Sequence, residues 1–100
     1  MDLKVPGASS YTLINHQGKT YSAYLMWSDI KDNHNKFYII QILQKGGSYF
    51  LWTRYGRVGL DGVGSPESCG NSIDSAIKLY NKKYSQKTGK GYTEINMAIG

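Results

Sequence analysis

Two runs of apolar and aromatic residues separated by a pair of glycines constrain the fold of this chain more than any other feature. Residues 37–44 are rich in β-branched and aromatic side chains, and residues 49–55 form a second run of the same kind. Lys45-Gly46-Gly47-Ser48 lies between them, and a Gly-Gly pair in this position is typical of a tight β-hairpin. The sequence therefore predicts two antiparallel strands that lie side by side.

Three further segments have weaker strand patterns. In residues 20–30, apolar side chains recur at a period of two on one face, at Tyr21, Ala23, Leu25 and Trp27, which predicts a half-buried strand. Residues 11–15 are expected to form a first strand, and residues 65–70 a loop or a short irregular strand. Alternation at Ile95, Met97 and Ile99 indicates a short closing strand.

One helix is predicted over residues 72–88. Its apolar side chains recur at the spacing of one helix face, at Ile73, Ala76, Ile77, Tyr80 and Tyr84. We expect Asn71 to cap the N-terminus, with Asp74 in the capping-box position, and Gly89 or Gly91 to end the helix.

The fold class that follows is α+β, an antiparallel sheet with one main helix packed on a face. One hundred residues suffice for one small domain with a modest core. Residues 1–10 include Pro6, Gly7, Ser9 and Ser10, so we expect a flexible lead-in there and the domain over residues 11–100.

Composition favours binding over catalysis. Twelve Lys and Arg against seven Asp and Glu give a net charge of +5, and residues 78–90 contain five lysines and no acid, which suits an anionic partner. Cys69, His16 and His34 do not form a metal-ligand or disulfide pattern, and no convincing catalytic set is present. We expect no cofactor, no metal and no enzymatic activity of this chain alone. No apolar run approaches the roughly 20 residues that cross a bilayer, so we expect a soluble protein that is not secreted.

The segment after the second strand carries binding chemistry. Tyr55, Gly56 and Arg57 stand at the start of a glycine-rich stretch, and glycine allows such residues to be held on a short exposed turn. There Tyr55 can stack on a base, or it can be an ordinary aromatic at the end of a strand. Arg57 can contact a phosphate, pair with a carboxylate of a neighbouring domain, or be solvated.

Two polar clusters raise the same alternatives. Asn33, Asn35 and Lys36 precede a strand, where they can reach phosphate oxygens or form a plain polar turn. Lys87 and Lys90 with Tyr92 follow the helix, where lysines also complement the helix dipole.

The stretch from Arg54 to Gly64 resembles the signature of the WGR domain, named for Trp-Gly-Arg, with Tyr55 in place of the tryptophan. The runs Asn33-His34-Asn35-Lys36-Phe37-Tyr38 and Tyr49-Phe50-Leu51-Trp52-Thr53-Arg54 are similar to strands of that domain in the DNA-dependent poly(ADP-ribose) polymerases. Asn81-Lys82-Lys83-Tyr84 and Lys87-Thr88-Gly89 resemble its helix. The resemblance covers residues from about 20 to 92.

The resemblance implies a regulatory module that holds a 5′-phosphorylated DNA-break end and relays its occupancy to regulatory and catalytic domains of a parent chain. It also implies a nuclear protein. By position, Tyr55 would pack on the terminal nucleotide, and Arg57 would link DNA and neighbouring domains. Asn33, Asn35 and Lys36 would lie near the phosphate. Lys87 and Tyr92 would take the basic and aromatic positions that follow the helix. The nucleic-acid-binding residues expected in all are Asn33, Asn35, Lys36, Tyr55, Gly56, Arg57, Lys87, Lys90 and Tyr92.

Alternatives stay open at this point. RNA offers the same phosphates and bases as DNA, so an RNA-binding module is one. A stand-alone protein-interaction module that uses Arg57 and the glycine-rich turn against an acidic partner is another. A small enzyme would depend on His16, His34 or Cys69.

Overall fold

The computed structural model describes residues 2, 4–29, 31 and 34–95. Within them a six-stranded antiparallel sheet carries one helix, so the α+β prediction is confirmed. The strands are β1 (Thr12–Leu13), β2 (Asn15–His16), β3 (Lys19–Thr20), β4 (Ser22–Asp29), β5 (His34–Lys45), β6 (Ser48–Arg57), β7 (Val63–Ser68) and β8 (Thr93–Ile95), and the helix is α1 (Ile73–Thr88). The sheet order is β7-β6-β5-β4-β8, with β1 also paired to β5, while β2 and β3 form a separate ribbon.

The predicted hairpin is β5 and β6. Lys45 pairs with Ser48 across Gly46-Gly47, and Gly46 takes the positive φ of +60° that such a tight turn favours. β5 is the central strand, and residues 37–43 are all buried because the sheet is covered on both faces. The strand predicted over residues 20–30 is β4, which pairs with β5 along its whole length.

The helix packs its predicted apolar face on one face of the sheet, called here the helix face. Ala76 and Tyr80 are buried among alternate residues of the strands, including Tyr38 and Ile40 of β5. The capping prediction is wrong, because Ser72 and not Asn71 precedes the first helical residue in extended conformation. The Ser72 hydroxyl accepts the Ser75 N–H at 3.4 Å, which satisfies one of the free donors of the first turn.

The opposite face of the sheet has its own apolar cluster. Phe37, Ile39 and Leu43 of β5 and Trp52 of β6 pack there with Val5. Asp2 is also buried, and its backbone N–H donates to Gln41 Oε1 at 3.0 Å. Residues 1–10 were expected to be flexible. Their mobility and the domain boundary stay predictions, but the structure places Asp2 and Val5 against the sheet.

The edges of the sheet differ from the expected pattern. The segment predicted as a loop or irregular strand is the edge strand β7, which begins at Val63 and has all six residues exposed. The closing strand is β8 on the other edge, paired with β4. Met97 and Ile99, on which that prediction also rested, lie outside the described residues. No helix in the described part of the chain is both long and apolar enough to cross a membrane.

Candidate nucleic-acid interface

Tyr55 and Arg57 lie in the sheet at the end of β6. Tyr55 pairs with Tyr38 on one side and with Val63 on the other, and Arg57 pairs with Lys36. The expectation that these two residues stand on the turn itself is therefore wrong, because the β5–β6 ladder continues through Arg57. The turn consists of residues 58–62 and begins after them.

Two glycines let this turn fold back against the strand that precedes it. Gly62 has φ +74°, and a Cβ there would collide with the Tyr55 carbonyl group. A Cβ on Gly56 would lie 2.7 Å from Gly62 Cα. Arg54 holds the turn from the opposite face, since its Nη1 donates to the Asp61 carbonyl oxygen at 2.6 Å. The close approach of two backbones thus explains the glycines on either side of the turn.

Three tyrosines meet on the helix face. The Tyr55 ring lies parallel to the Tyr38 ring, with centroids 5.5 Å apart and planes at 10°, and Tyr92 meets Tyr38 edge-on at 6.2 Å. We call these residues the tyrosine cluster. Tyr55 is 49% exposed, whereas Tyr38 is buried. Burial raises the pKa of both Tyr38 and Tyr92, so these phenols stay neutral.

Cations lie on the tyrosine cluster and beside it. Lys87 Nζ lies 4.6 Å from the centre of the Tyr38 ring, and Lys36 Nζ lies 5.1 Å from the centre of the Trp27 ring. Arg57 stands beside Lys36 on the neighbouring strand. Partial burial, then the charges of Lys90 and Lys83, lower the pKa of Lys87. We call Lys36, Arg57, Lys87 and Lys90 the basic end.

The basic end is not neutralised within the described residues. The ion pairs found there are Lys4 with Asp61 and Arg54 with Asp2, and neither includes a member of the basic end. The segment of residues 78–90, which includes Lys87 and Lys90, also contains no Asp or Glu that could repel an anion. The arrangement can therefore accept an anionic group from outside the chain.

The expected binding residues gather on the helix face only in part. Lys36, Tyr55, Arg57, Lys87 and Tyr92 share it, and Lys90 follows directly after the helix. Gly56 contributes backbone between Tyr55 and Arg57. Asn33 lies outside the described residues, so nothing is added to its prediction.

Asn35 stands apart from Lys36. Successive side chains of a strand point to opposite faces, so the Asn35 side chain belongs to the face opposite Lys36. Its carbonyl oxygen accepts the Val58 N–H at 2.9 Å and so holds the first residue of the turn. Its role in binding stays a prediction.

Two aromatic residues of this site were not among the expected ones. Trp27 is half-buried and lies under Lys36, with the Gly91 backbone against its ring. Tyr38 supports the Tyr55 ring. The hairpin register would have indicated Tyr38, because the tight Gly46-Gly47 turn sets which residue of β5 faces Tyr55.

The structure does not test the expectation that this chain has no catalytic activity and binds no metal. Among the described residues, no group of three or more His, Cys, Asp or Glu could hold a metal ion. Burial, together with the nearby Glu67 carboxylate, raises the pKa of the Cys69 thiol, which keeps that thiol protonated. The absence of catalysis by this chain stays a prediction.

Comparison with known proteins gives the family. The model of the WGR domain matches residues 21–99. Poly [ADP-ribose] polymerase 2 of Arabidopsis thaliana is 33% identical over 80% of this chain and 13% of its own length. Protein mono-ADP-ribosyltransferase PARP3 of Mus musculus is 39% identical over 74% of this chain and 14% of its own length. Poly [ADP-ribose] polymerase 2 of Homo sapiens is 30% identical over 74% and 13%, respectively.

The chain thus corresponds to 13% or 14% of the length of these relatives. A regulatory module fits a match to this family. Because the family model covers most of the chain and relatives reach 39% identity, this protein belongs to the WGR domain family found in the poly(ADP-ribose) polymerases.

Proposed function

We propose that this chain is a regulatory module that binds the end of a broken DNA duplex, with preference for a 5′-phosphorylated end. In a longer parent chain, it would relay DNA occupancy to an ADP-ribosyltransferase catalytic domain in the nucleus. The names of its relatives, which are ADP-ribose polymerases and transferases, support the second part. This chain by itself would not be catalytic.

The observation that carries the proposal is an exposed ring beside cations that form no ion pair with any carboxylate of the described residues. Tyr55 is half exposed, Lys87 lies over the Tyr38 ring that stacks with it, and Arg57 follows Tyr55 by two residues on the same face of β6. A base or sugar can pack on the ring while the guanidinium and ammonium groups contact phosphate. A terminal 5′-phosphate carries more negative charge than an internal phosphodiester, so the basic end would favour it.

Fluorescence anisotropy with labelled duplexes tests this function. A duplex with a 5′-phosphate should bind more tightly than the same duplex without one, and both affinities should fall as salt rises. Tyr55→Ala should weaken binding by about 1–3 kcal/mol, the usual contribution of one stacked base. Arg57→Ala should weaken binding and reduce the advantage of the 5′-phosphate.

Lys45→Ala is the matched control for the charge change. Lys45 is exposed at the hairpin end of β5, about 30 Å from Lys36 at the usual rise of an antiparallel strand. Its replacement should leave DNA affinity close to that of the wild type. Absence of DNA binding at low salt would contradict the proposal. Equal binding of an RNA duplex end would instead select the RNA alternative.

A protein-interaction module is the second candidate, and exposed apolar side chains favour it. Val58 is 46%, Leu60 66% and Val63 63% exposed, and all three lie in or beside the turn next to Arg57. A patch of this kind with an adjacent cation suits an apolar protein surface that carries an acid. A pull-down in which Arg57→Ala loses a protein partner, while no DNA binds, would select this function.

A further inference from the structure

A groove lies between the first half of α1 and the end of β7, away from the tyrosine cluster. Its lining consists of Cys69, which follows β7, and of Ser75, Lys78, Leu79 and Lys82 of α1. The cavity has a volume of about 330 Å³ and is open to solvent. Because α1 packs mainly on β5 and β6, its flank towards the exposed strand β7 stays uncovered. We call this feature the α1 groove.

The floor of the α1 groove is apolar. Cys69 and Leu79 are half-buried and pack on the core of the helix face. The methylene stems of the lining lysines add apolar surface, while their ammonium groups stay in water. Ser75 is small and exposed and precedes Leu79 by one helical turn, so it leaves room above the floor.

The two rims of the α1 groove carry opposite charge. Lys78 and Lys82 are exposed one turn apart on the helix rim, and neither forms an ion pair with another described residue, although Asp74 precedes Lys78 by one turn. On the strand rim, Glu67 pairs with Leu51 of the helix-face core, and its carboxylate acts on the Cys69 thiol. The helix rim is therefore positive and the strand rim negative.

We propose that the α1 groove binds an amphipathic helix of another protein. An apolar stripe of that helix would face Cys69 and Leu79, and acidic residues along the side that faces α1 would contact Lys78 and Lys82. Ser75 with Leu79, and Lys78 with Lys82, form two rows at the spacing of four residues along which helices pack. Acids spaced by four residues on the partner match the lysine row.

The size of the α1 groove sets the kind of complex. Its volume is at the lower end of the range for small-molecule sites, about 300–1,000 Å³, and its open shape suits the apolar side chains of a helix better than an enclosed ligand. A contact of this size is typical of a transient interface. Because the charges lie at the rims, the association rate should fall as salt rises. The surface is separate from Arg57 and its turn, so the inference does not depend on DNA binding.

A displayed library of helical peptides tests the inference. Each peptide carries a fixed leucine stripe, and its flanking positions vary among Glu, Gln and Lys. Selection uses the 100-residue chain as target and the Ser75→Glu variant as counter-target. Selected peptides should carry Glu at positions four residues apart on one flank and should lack Glu on the other flank, which faces Glu67. Absence of charge preference, or enrichment of Lys on both flanks, would overturn the inference.

Variants of the chain locate the binding of the best selected peptide. Ser75→Glu places a carboxylate in the groove, at a first-turn position where the helix dipole favours it, so the fold should be retained. Peptide affinity should fall at least about tenfold, because like charges meet. Lys78→Glu should have a similar effect, and a peptide with Lys in place of the facing Glu should restore binding.

Lys31→Glu is the matched control for the charge change. Lys31 is exposed after β4, at the end of the sheet opposite Cys69. Its replacement should leave peptide affinity within about twofold of the wild type. Thermal unfolding of each variant confirms that the fold is intact. Equal affinities of the wild type and Ser75→Glu would show that the peptide binds elsewhere and would overturn the inference.

Cys69 provides a direct readout, since it is the only cysteine of the chain. Bound peptide should slow the alkylation of Cys69 by iodoacetamide, measured by mass spectrometry, in proportion to the fraction of chain bound. Unchanged alkylation at saturation would contradict the proposed position. Self-association of the chain that Ser75→Glu abolishes would assign the groove to a second copy instead. Displacement of the peptide by a DNA duplex that Ser75→Glu fails to bind would assign the lysine row to nucleic acid.

Discussion

Lys87 is the residue that joins the helix to the aromatic side chains of the sheet. Its ammonium group lies over Tyr38, whose other neighbours are the rings of Tyr55 and Tyr92. Burial and the charges of Lys90 and Lys83 lower the pKa of Lys87, because both destabilise its protonated form in the free protein. A phosphate beside Lys87 would relieve that repulsion, which makes this lysine a sensitive probe of the proposed interface.

Lys87→Met should weaken DNA binding without a comparable loss of fold stability. The methionine side chain can still cover the Tyr38 ring, whereas its charge is gone. The slope of log affinity against log salt should shrink by about one unit, as expected when one phosphate contact is lost. Anisotropy titrations at several salt concentrations measure the slope, and thermal unfolding monitors the fold. Lys45→Met is the control, and an unchanged slope in Lys87→Met would exclude a phosphate contact at this position.

At the scale of elements, the β5–β6 hairpin was predictable to the level of single residue pairs. A two-residue Gly46-Gly47 turn allows only one strand register. That register brings Tyr38 next to Tyr55 and Lys36 next to Arg57. The helix was predictable for a similar reason, since its apolar side chains recur at one spacing. Local patterns with a strict period therefore determined most of the fold and half of the candidate site.

Other elements could not be derived from local pattern. β7 has six exposed residues, including Gly64 and Pro66, and so it lacks the apolar alternation that identifies a strand. Trp27 comes near Lys36 only through the β4–β5 register, and residues 30–33 contain no glycine pair that would set that register. Asp2 meets Arg54 across 52 positions of sequence. Such contacts depend on tertiary packing, which sequence periodicity does not report.

The turn between β6 and β7 offers a prediction about why its glycines are present. Gly62→Ala should destabilise the protein by about 1–3 kcal/mol more than Gly59→Ala, because the new methyl group meets the Tyr55 carbonyl group. Both glycines have positive φ, of +74° and +97°, but the space around Gly59 is open. The two variants thus share the backbone strain and differ in the collision. Urea unfolding measures both, and equal losses would show that the close backbone approach is unimportant.

At the scale of the whole molecule, the sheet carries a different cover on each face. The helix and the tyrosine cluster occupy one face, and the segment with Asp2 and Val5 covers the other. Asp2 connects that segment to the binding side, since its carboxylate accepts from Trp52 Nε1 at 2.8 Å and Arg54 Nε at 2.7 Å. Arg54 in turn holds the Asp61 carbonyl oxygen of the turn. The N-terminal residues therefore help to fix the turn next to Tyr55 and Arg57.

Asp2→Asn tests this connection through the pH dependence of stability. Burial on its own raises the pKa of Asp2, but hydrogen bonds from Arg54, Trp52 and the Lys4 N–H outweigh it and hold the pKa below the ordinary 3.8. A carboxyl group with a lowered folded-state pKa stabilises the fold above its ordinary pKa, and this contribution is lost as the pH falls through the folded-state value. The wild type should therefore lose stability below about pH 4 through this group, a loss that Asp2→Asn should lack.

At neutral pH, the Asp2→Asn variant should be less stable by about 2–3 kcal/mol, because a largely buried guanidinium loses its charged partner. Asp74→Asn is the matched control, since Asp74 is exposed in the first turn of α1. Urea unfolding at pH 7 and at a series of acidic values gives both quantities. If Asp2→Asn and the wild type showed the same stability across this range, the carboxylate would not secure the N-terminal segment. The turn beside Tyr55 would then be held by its glycines and by Arg54 without help from the Asp2 carboxylate.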